Sequence, residues 1–370
     1  MIPLSVVLRK FYCHAKLVDN IYWRKANSSL KFFREVLNSI KILVRNRHYP
    51  SILLSMERLG ILLVGIFAFT FATIAGGCAY FERGENLGET GSELVVCQFN
   101  MRYYKKDDGH ILKTKDSYGK TIEKTDGTQT WEKRSPLIKK FFAYYDIDIC
   151  GSQELYKNQI DSMRDMADYG ISGIPSIPSR EAAGLPNHNN VIFYKKSRLQ
   201  LLDSGTFWFS ETPESESKGW GAAYPRNCNW GKFLDKKTGK FFYYFNMHFH
   251  HIGESVQWES AKLLVKKIEE ISEGLPFFAS GDLNSDPYSR AIKEIKSSGF
   301  MFDAKEISKK PPYGPDFTDN YGYTGKKSKW IDWIFVSKSV EIEKFAVFAE
   351  NIGEVWLSDH FPLLVSAKIK

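Results

Sequence analysis

Cysteine is scarce in this chain. There are five in 370 residues, at positions 13, 78, 97, 150 and 228, and no two form a CxxC pair. That spacing argues against a structural zinc site, and no disulfide framework is indicated. Cys97 and Cys150 sit in apolar runs and read as small buried residues. No internal repeat is present. Most of the chain also lacks a basic excess. The formal charge is +8, but residues 1–55 hold ten Lys or Arg against Asp19 and Glu35, and account for all of it. The remainder carries 41 basic and 41 acidic residues. A domain built to hold a phosphate backbone shows a basic footprint, so the pI of 9.0 is no argument for nucleic acid. The rest of the composition, 43% hydrophobic and 25% charged, is that of a globular protein. The length suits one large domain or two ordinary ones.

Residues 59–77, LGILLVGIFAFTFATIAGG, contain no charge. Three readings compete: a transmembrane helix, the core of a secretory signal, or a buried helix. Nineteen apolar residues just span a bilayer. The flanks favour a signal, because Met56-Glu57-Arg58 supplies a positive charge before the run and Ala75-Gly76-Gly77 ends it directly before Cys78. This ending resembles a bacterial lipobox, which makes Cys78 the candidate lipidation site, although Ala75 stands where leucine is usual. An uncleaved anchor spanning 56–78 is the alternative. Residues 1–55 then read as a gene-model extension ahead of a true start at Met56, or as a cytoplasmic basic segment before the anchor. Residues 79–92 are polar and Gly-rich, as in a tether. On this reading the protein sits at the cell envelope, membrane-anchored through a lipid or an N-terminal helix, with residues 93–370 outside the cytoplasm.

From Glu93 onward, strands alternate with helices. Leu94 to Phe99, Ile147 to Glu154, Val191 to Tyr194, Lys240 to Asn246, Pro276 to Asp282, Ile331 to Val336 and Phe361 to Ala367 read as strands, and Trp131 to Tyr145 and Glu259 to Ile271 as helices. Residues 103–129 are polar with several Gly and Lys, and read as a long loop. Polar residues suited to metal or phosphate recur at the strand ends: Asn100, Glu154, His248, Asp282, Asn284, Asp332, Asp359 and His360. Each alone is explained as a turn or cap residue. Asp332 is different, because Ile331, Trp333, Ile334 and Phe335 surround it. A carboxylate buried there needs a partner. Carboxylates with Asn are hard oxygen ligands for Mg2+ or Mn2+, and the chemistry they imply is hydrolysis of a phosphate ester. In it, one carboxylate activates water while neutral donors and a protonated His hold the phosphoryl oxygens.

The ordered blocks Phe99-Asn100, Gln153-Glu154, Asn246-Met247-His248, Gly281-Asp282-Leu283-Asn284, Ile331-Asp332 and Ser358-Asp359-His360 resemble the endonuclease/exonuclease/phosphatase superfamily over residues 93–370. Trp131-Glu132-Lys133-Arg134, Tyr224-Pro225-Arg226-Asn227-Cys228-Asn229-Trp230 and Ser260-Ala261-Lys262-Leu263-Leu264 look like a secreted bacterial branch of it. The resemblance implies an α/β (α+β) fold, a two-layer β-sandwich flanked by helices in four α/β/β/α layers, and a divalent ion. It implies Glu154 as chief metal ligand with Asn100 beside it and Asp359 in the metal region. Asp282 would activate water, Asn284 would bind phosphate, and His248 would donate to the phosphoryl oxygens or support the leaving group. His360 would contact the scissile phosphate with Asp332 holding its ring. Arg134 and Arg226 are candidates for substrate contact, against the plainer reading of surface ion pairs. Trp131, Trp220 and Trp230 are candidates for an aromatic wall, with core packing the plainer role for Trp230. Two departures stand out: the branch commonly has His-x-Asp-His where this chain has His248-Phe249-His250-His251, and often Arg where Gln257 stands.

Two function classes follow. The first is a metal-dependent phosphodiesterase or phosphatase, with nucleic acid, a phospholipid such as sphingomyelin, or a sugar or inositol phosphate as substrate. The second is a binding module that has lost catalysis. Degenerate members lose the metal Glu or the final His, and both are present here. A monomer is the simplest assembly.

Overall fold

In the computed structural model, residues 93–370 are described apart from 116, 117, 119, 174–176 and 186. The readings of residues 1–92, Cys78 and the apolar run included, lie outside the described residues. Among the described residues no helix is long and apolar enough to cross a membrane.

Two six-stranded sheets dominate. The first runs β13(Val340–Val347), β16(Leu363–Ile369), β1(Leu94–Asn100), β4(Ile149–Leu155), β6(Asn189–Lys195), β5(Tyr169–Ser172). The second runs β11(Phe302–Asp303), β12(Asp332–Val336), β10(Phe277–Asp282), β9(Phe241–His248), β8(Asn227–Asp235), β7(Leu199–Trp208). Within each sheet one neighbouring pair is parallel, β1 with β4 and β9 with β10. Each parallel pair needs a crossover. The helix α1(Trp131–Tyr144) lies in the first and α4(Glu254–Ser272) in the second, and their apolar stripes cover the outer faces. Three shorter helices are α2(Lys157–Met163), α3(Pro178–Ala182) and α5(Arg290–Ser297).

The period of two along β1 divides its side chains between two cores. Leu94 and Val96 face the second sheet with Ile149, Ile192, Phe242, Tyr244 and Phe278. Val95, Cys97 and Phe99 face α1, against Ile138, Phe141 and Phe142. Ala261, Leu264 and Ile268, at helical spacing on α4, close the other outer face. This is the expected sandwich with helices outside it. Gly151 lies close against the second sheet. A Cβ there would lie 2.6 Å from Ser280 Oγ and 2.9 Å from Tyr244 Oη. The bare backbone lets Gly151 N donate to the buried Tyr244 hydroxyl, which bonds in turn to Cys97 O.

The expected loop at 103–129 is interrupted by a hairpin, β2(Ile111–Lys115) with β3(Thr121–Thr125). Its Lys- and Thr-rich strands show too little apolar alternation to announce themselves. The β7, β8 and β13 strands and α5 were also not legible as elements. The two-residue β14(Asn351–Ile352) and β15(Val355–Trp356) precede the final strand.

Candidate active site

Register alone brings three of the residues together. Asp282 is paired with His248 across β10 and β9, and with Asp332 across β10 and β12. The first sheet contributes Asn100 at the end of β1, Glu154 near the end of β4, and His360 just before β16. Glu154 falls where the β4–β6 pairing shifts register, and its φ is +68°. A bulge of this kind re-aims one side chain, and non-Gly residues in the left-handed region concentrate at functional sites. Asn284, at φ +47°, is held similarly on the loop after β10.

Asp282 is the hub. Its Oδ2 accepts from Asn100 Nδ2 at 3.0 Å and lies 3.3 Å from His248 Nε2 and 3.8 Å from His360 Nε2. Its Oδ1 accepts from Asn284 N at 2.9 Å. Burial, reinforced by Asp332 and Glu154 against the opposing pull of His360 and Asn284 N, pushes its carboxyl up to about 7. A carboxylate poised there suits a general base.

The two histidines beside it are set in opposite states. Burial would strip the proton from His360, but Asp332, Asp282 and Asp359 outweigh it and hold the imidazole charged well above its ordinary range. Asp332 Oδ2 lies 2.8 Å from His360 Nδ1, while its Oδ1 accepts from Gln98 Nε2. His248 goes the other way: burial, then Arg226, His188, His360 and His251, depress it well below the usual value. Arg226 Nη1 donates to His248 Nδ1 at 2.9 Å. A guanidinium has no acceptor, so Nδ1 carries no proton and the neutral ring bears its proton on Nε2, toward Asp282. The Nε of Arg226 is buried without a partner among the described residues.

Glu154 accepts from Tyr103 N at 3.3 Å. Burial raises its carboxyl, but Arg102, His188, His360 and Arg226 overcome that and hold it ionised, below its ordinary value. Ligand atoms of Glu154, His248 and Asp282 lie within 4.8 Å of one another, as do those of Asp282, Asp332 and His360. The first group suits a hard divalent ion through the carboxylates of Glu154 and Asp282 beside the Asn100 amide, His248 having no free lone pair to add. The second does not, because a protonated His360 offers no lone pair.

Residues 125–360, more than half of the chain, match the model of the Endonuclease/Exonuclease/phosphatase family. The chain belongs to this family. It is a phosphoesterase, and members of the family are typically dependent on a divalent metal. A family member of known structure from Bacteroides vulgatus is 29% identical; the match covers 75% of this chain and all of that one, with a TM-score of 0.63. A mannosyl-6-phosphatase from Bacteroides thetaiotaomicron is 30% identical, with 74% and 99% covered and a TM-score of 0.62. An uncharacterized protein of Acanthamoeba polyphaga mimivirus is 25% identical over 250 residues, which is 64% of this chain and 91% of the viral protein.

Within this family member, the structure brings Asn100, Glu154, Arg226, His248, Asp282, Asn284, Asp332 and His360 together. Two residues depart from expectation. Arg134 does not reach the site. It is fully buried, and its guanidinium donates to Gln129 O, Met101 O and Leu357 O. It braces the loops that follow Asn100 and precede His360. Asp359 stands in neither metal-ligating group, because Arg102 Nη1 holds its Oδ2 at 2.8 Å. The three tryptophans form no wall: Trp131 packs in the core under α1, while Trp220 and Trp230 pack against the other core.

The two sequence departures also resolve. His250 Nε2 accepts from Ala223 N, so its Nδ1 proton points to Ile252 O and the ring staples two loops. Gln257 donates to His250 O and Asn284 O, fixing the loop that follows β10. Arg102, His188, Gln98 and Thr318 were missed. Thr318 Oγ1 accepts from Ile331 N and Asp332 N. Arg102 had one available signal, its place two residues after a strand-terminal Asn.

Proposed function

We propose that this enzyme hydrolyses a phosphate ester with a divalent ion, Mg2+ or Mn2+, and that its substrate is a small phosphorylated sugar. The observation that carries the chemistry is the pair of histidines in opposite protonation states on either side of Asp282. Glu154 and Asn100 hold the ion. When bound, it offsets the charge that builds on the phosphoryl oxygens. Asp282 orients the attacking water and takes its proton. His360, charged through Asp332, and the neutral donors His248 and Asn284 bind the phosphoryl oxygens. The buried, unpaired Nε of Arg226 is a further donor for an anion.

A sugar phosphate is favoured over nucleic acid by the likeness to the mannosyl-6-phosphatase and by the neutral charge balance beyond residue 55. A sphingomyelinase-like phosphodiesterase is the second reading, supported by the uncharged run 59–77 with the lipobox-like residues before Cys78. We further propose a tether, through Cys78 or an uncleaved helix within 56–78, that would hold a monomeric enzyme of the secreted bacterial branch at the cell envelope with its catalytic domain outside the cytoplasm. The lipobox-like ending of the apolar run supports it.

The test is a substrate panel with the wild type and Asp282→Asn, with and without EDTA: mannose 6-phosphate, bis(p-nitrophenyl) phosphate, sphingomyelin and single-stranded DNA. Turnover of the sugar phosphate that is lost in the variant and in EDTA is expected. Preference for the diesters would overturn the substrate, and full activity of Asp282→Asn would overturn the mechanism. Incorporation of labelled palmitate, lost in Cys78→Ser, tests the anchor.

A further inference from the structure

Two clusters of tyrosine and histidine border the site, one from each sheet. On the first sheet's side, Tyr103 follows β1, Tyr156 follows β4 and His188 precedes β6. Tyr103 N donates to Glu154 Oε2, and its ring stacks against His188 at 4.7 Å between centroids and against Tyr156 at 5.8 Å. On the second sheet's side, Tyr224 precedes β8 and His251 follows β9. Their rings stack at 5.7 Å and 13°, and Tyr224 Oη lies 2.6 Å from His251 Nδ1. Arg226, which holds His248, lies with its guanidinium 5.2 Å from the centre of the Tyr224 ring. Ligand atoms of Glu154 and His248 lie within 4.8 Å of each other, so the two clusters flank one cleft. Arg180, on α3, joins them. It lies 5.8 Å from the Tyr224 ring centre, and its charge reaches His188 and Tyr156.

These rings offer a ligand their edges. Arg102 lies 4.5 Å from the centre of the Tyr103 ring, which also meets His188 and Tyr156. Tyr224 has His250, His251, Arg226 and Arg180 against it. A nucleobase needs a free aromatic face to stack on, and these tyrosines have theirs engaged. The polar edges are different. Tyr103, Tyr156, His188, Tyr224 and Arg180 are all partly exposed. Tyr156 Oη approaches His188 Nε2 to 3.5 Å, the limit of hydrogen-bond length, so both have capacity for a better partner. Tyr224 Oη both donates and accepts, and its bond to His251 uses one of the two roles. Arg180 brings a guanidinium with five donors. Hydroxyl, imidazole and guanidinium groups in such an array are the partners that a polyol uses.

We propose that the two clusters and Arg180 form the leaving-group subsite, and that it reads the hydroxyls of a monosaccharide and not a nucleobase. This assignment rests on the sugar-phosphate reading of the site and names the residues that make the choice. A site that hydrogen-bonds a substrate hydroxyl discriminates against an ester lacking it, because its own polar groups are then left without that partner. The test reads the ratio of kcat/KM for mannose 6-phosphate to that for p-nitrophenyl phosphate, whose leaving group offers no sugar hydroxyls. The full chain is assayed with Mg2+ as wild type, Tyr156→Phe, Tyr224→Phe and Arg180→Met, each checked by a thermal melt. Each Phe variant is expected to lower the ratio about fivefold, the worth of one net hydrogen bond, and Arg180→Met about 20-fold. Adenosine 5′-monophosphate should be about tenfold poorer than mannose 6-phosphate for the wild type. Better turnover of the nucleotide overturns the inference whether or not any variant folds, and so does a ratio that no variant moves by more than about twofold. A wild type that cleaves bis(p-nitrophenyl) phosphate and none of these monoesters instead overturns the sugar-phosphate reading beneath it, so the two failures are distinguishable.

Discussion

Asp332 and His360 form a buried ion pair, Oδ2 to Nδ1 at 2.8 Å, and it joins the two sheets at their ends. Asp332 is the first residue of β12 in the second sheet, and His360 stands three residues before the start of β16 in the first. The pair keeps His360 protonated, the form that the proposed mechanism needs for donation to a phosphoryl oxygen. Asp332→Asn removes the largest charge favouring that form. The activity carried by the protonated ring is lost as pH rises through its pKa, so the alkaline limb of kcat/KM moves to lower pH. At neutral pH the loss should be about 10²-fold. A pH–rate profile with the limb unmoved would show that Asp332 only packs.

Asp282 tests the general base. Asp282→Asn is close in shape and retains an oxygen for the Asn284 amide. The expected result is a fall in kcat of about 10³-fold with KM nearly unchanged. Steady-state kinetics on the preferred substrate decides it, and a rise in KM alone would assign Asp282 to binding.

The two arginines expected at the substrate separate cleanly. Arg226→Ala removes an unsatisfied donor and should lower kcat/KM by about 10²-fold while leaving the melting temperature nearly unmoved. Arg134→Met leaves three buried carbonyls without their donor and takes from Asp108 one of its two neighbouring guanidinium groups. It should cost about 3 kcal/mol of stability, read by urea unfolding. Equal stability losses for both variants would contradict the separation.

At the opposite end of β4, Asp148 gives a pH-dependent stability unconnected with catalysis. It accepts from Val95 N, and burial raises its carboxyl to about 6 against the partial opposition of that bond, Arg198 and Lys195. A carboxyl raised on folding binds its proton more tightly in the native state. Its stabilising contribution is therefore full below the unfolded pKa near 4 and is lost as pH rises through 6. Asp148→Asn should stabilise the fold above pH 7 by at most about 3 kcal/mol. The gain should vanish below pH 4, with activity unchanged throughout. Chemical denaturation at the two pH values measures it, and a gain independent of pH would refute the linkage.

Much of this protein was legible in one dimension. The apolar runs of β1, β4, β9, β10, β12 and β16 carry their own burial pattern, so both the strands and the polar residue closing each run could be read directly. Asp332 announced its need for a partner through its apolar neighbours alone. The hairpin at 111–125 was hidden because its strands lie outside the two main sheets and carry no apolar alternation. Arg134 was misread because nothing local distinguishes a buried arginine from an exposed one. Its donors go to carbonyls at residues 101, 129 and 357, and sequence does not show where carbonyls converge.

Sequence therefore determined which polar residues close the apolar strands that meet at the candidate site, since that follows from side-chain type and a period of two. Tertiary structure decided their states. The protonation of His360, the neutrality of His248, the raised carboxyl of Asp282 and the capture of Asp359 by Arg102 all depend on charges from distant segments within a few ångströms. In a buried site those fields are strong, and only the fold sets the distances.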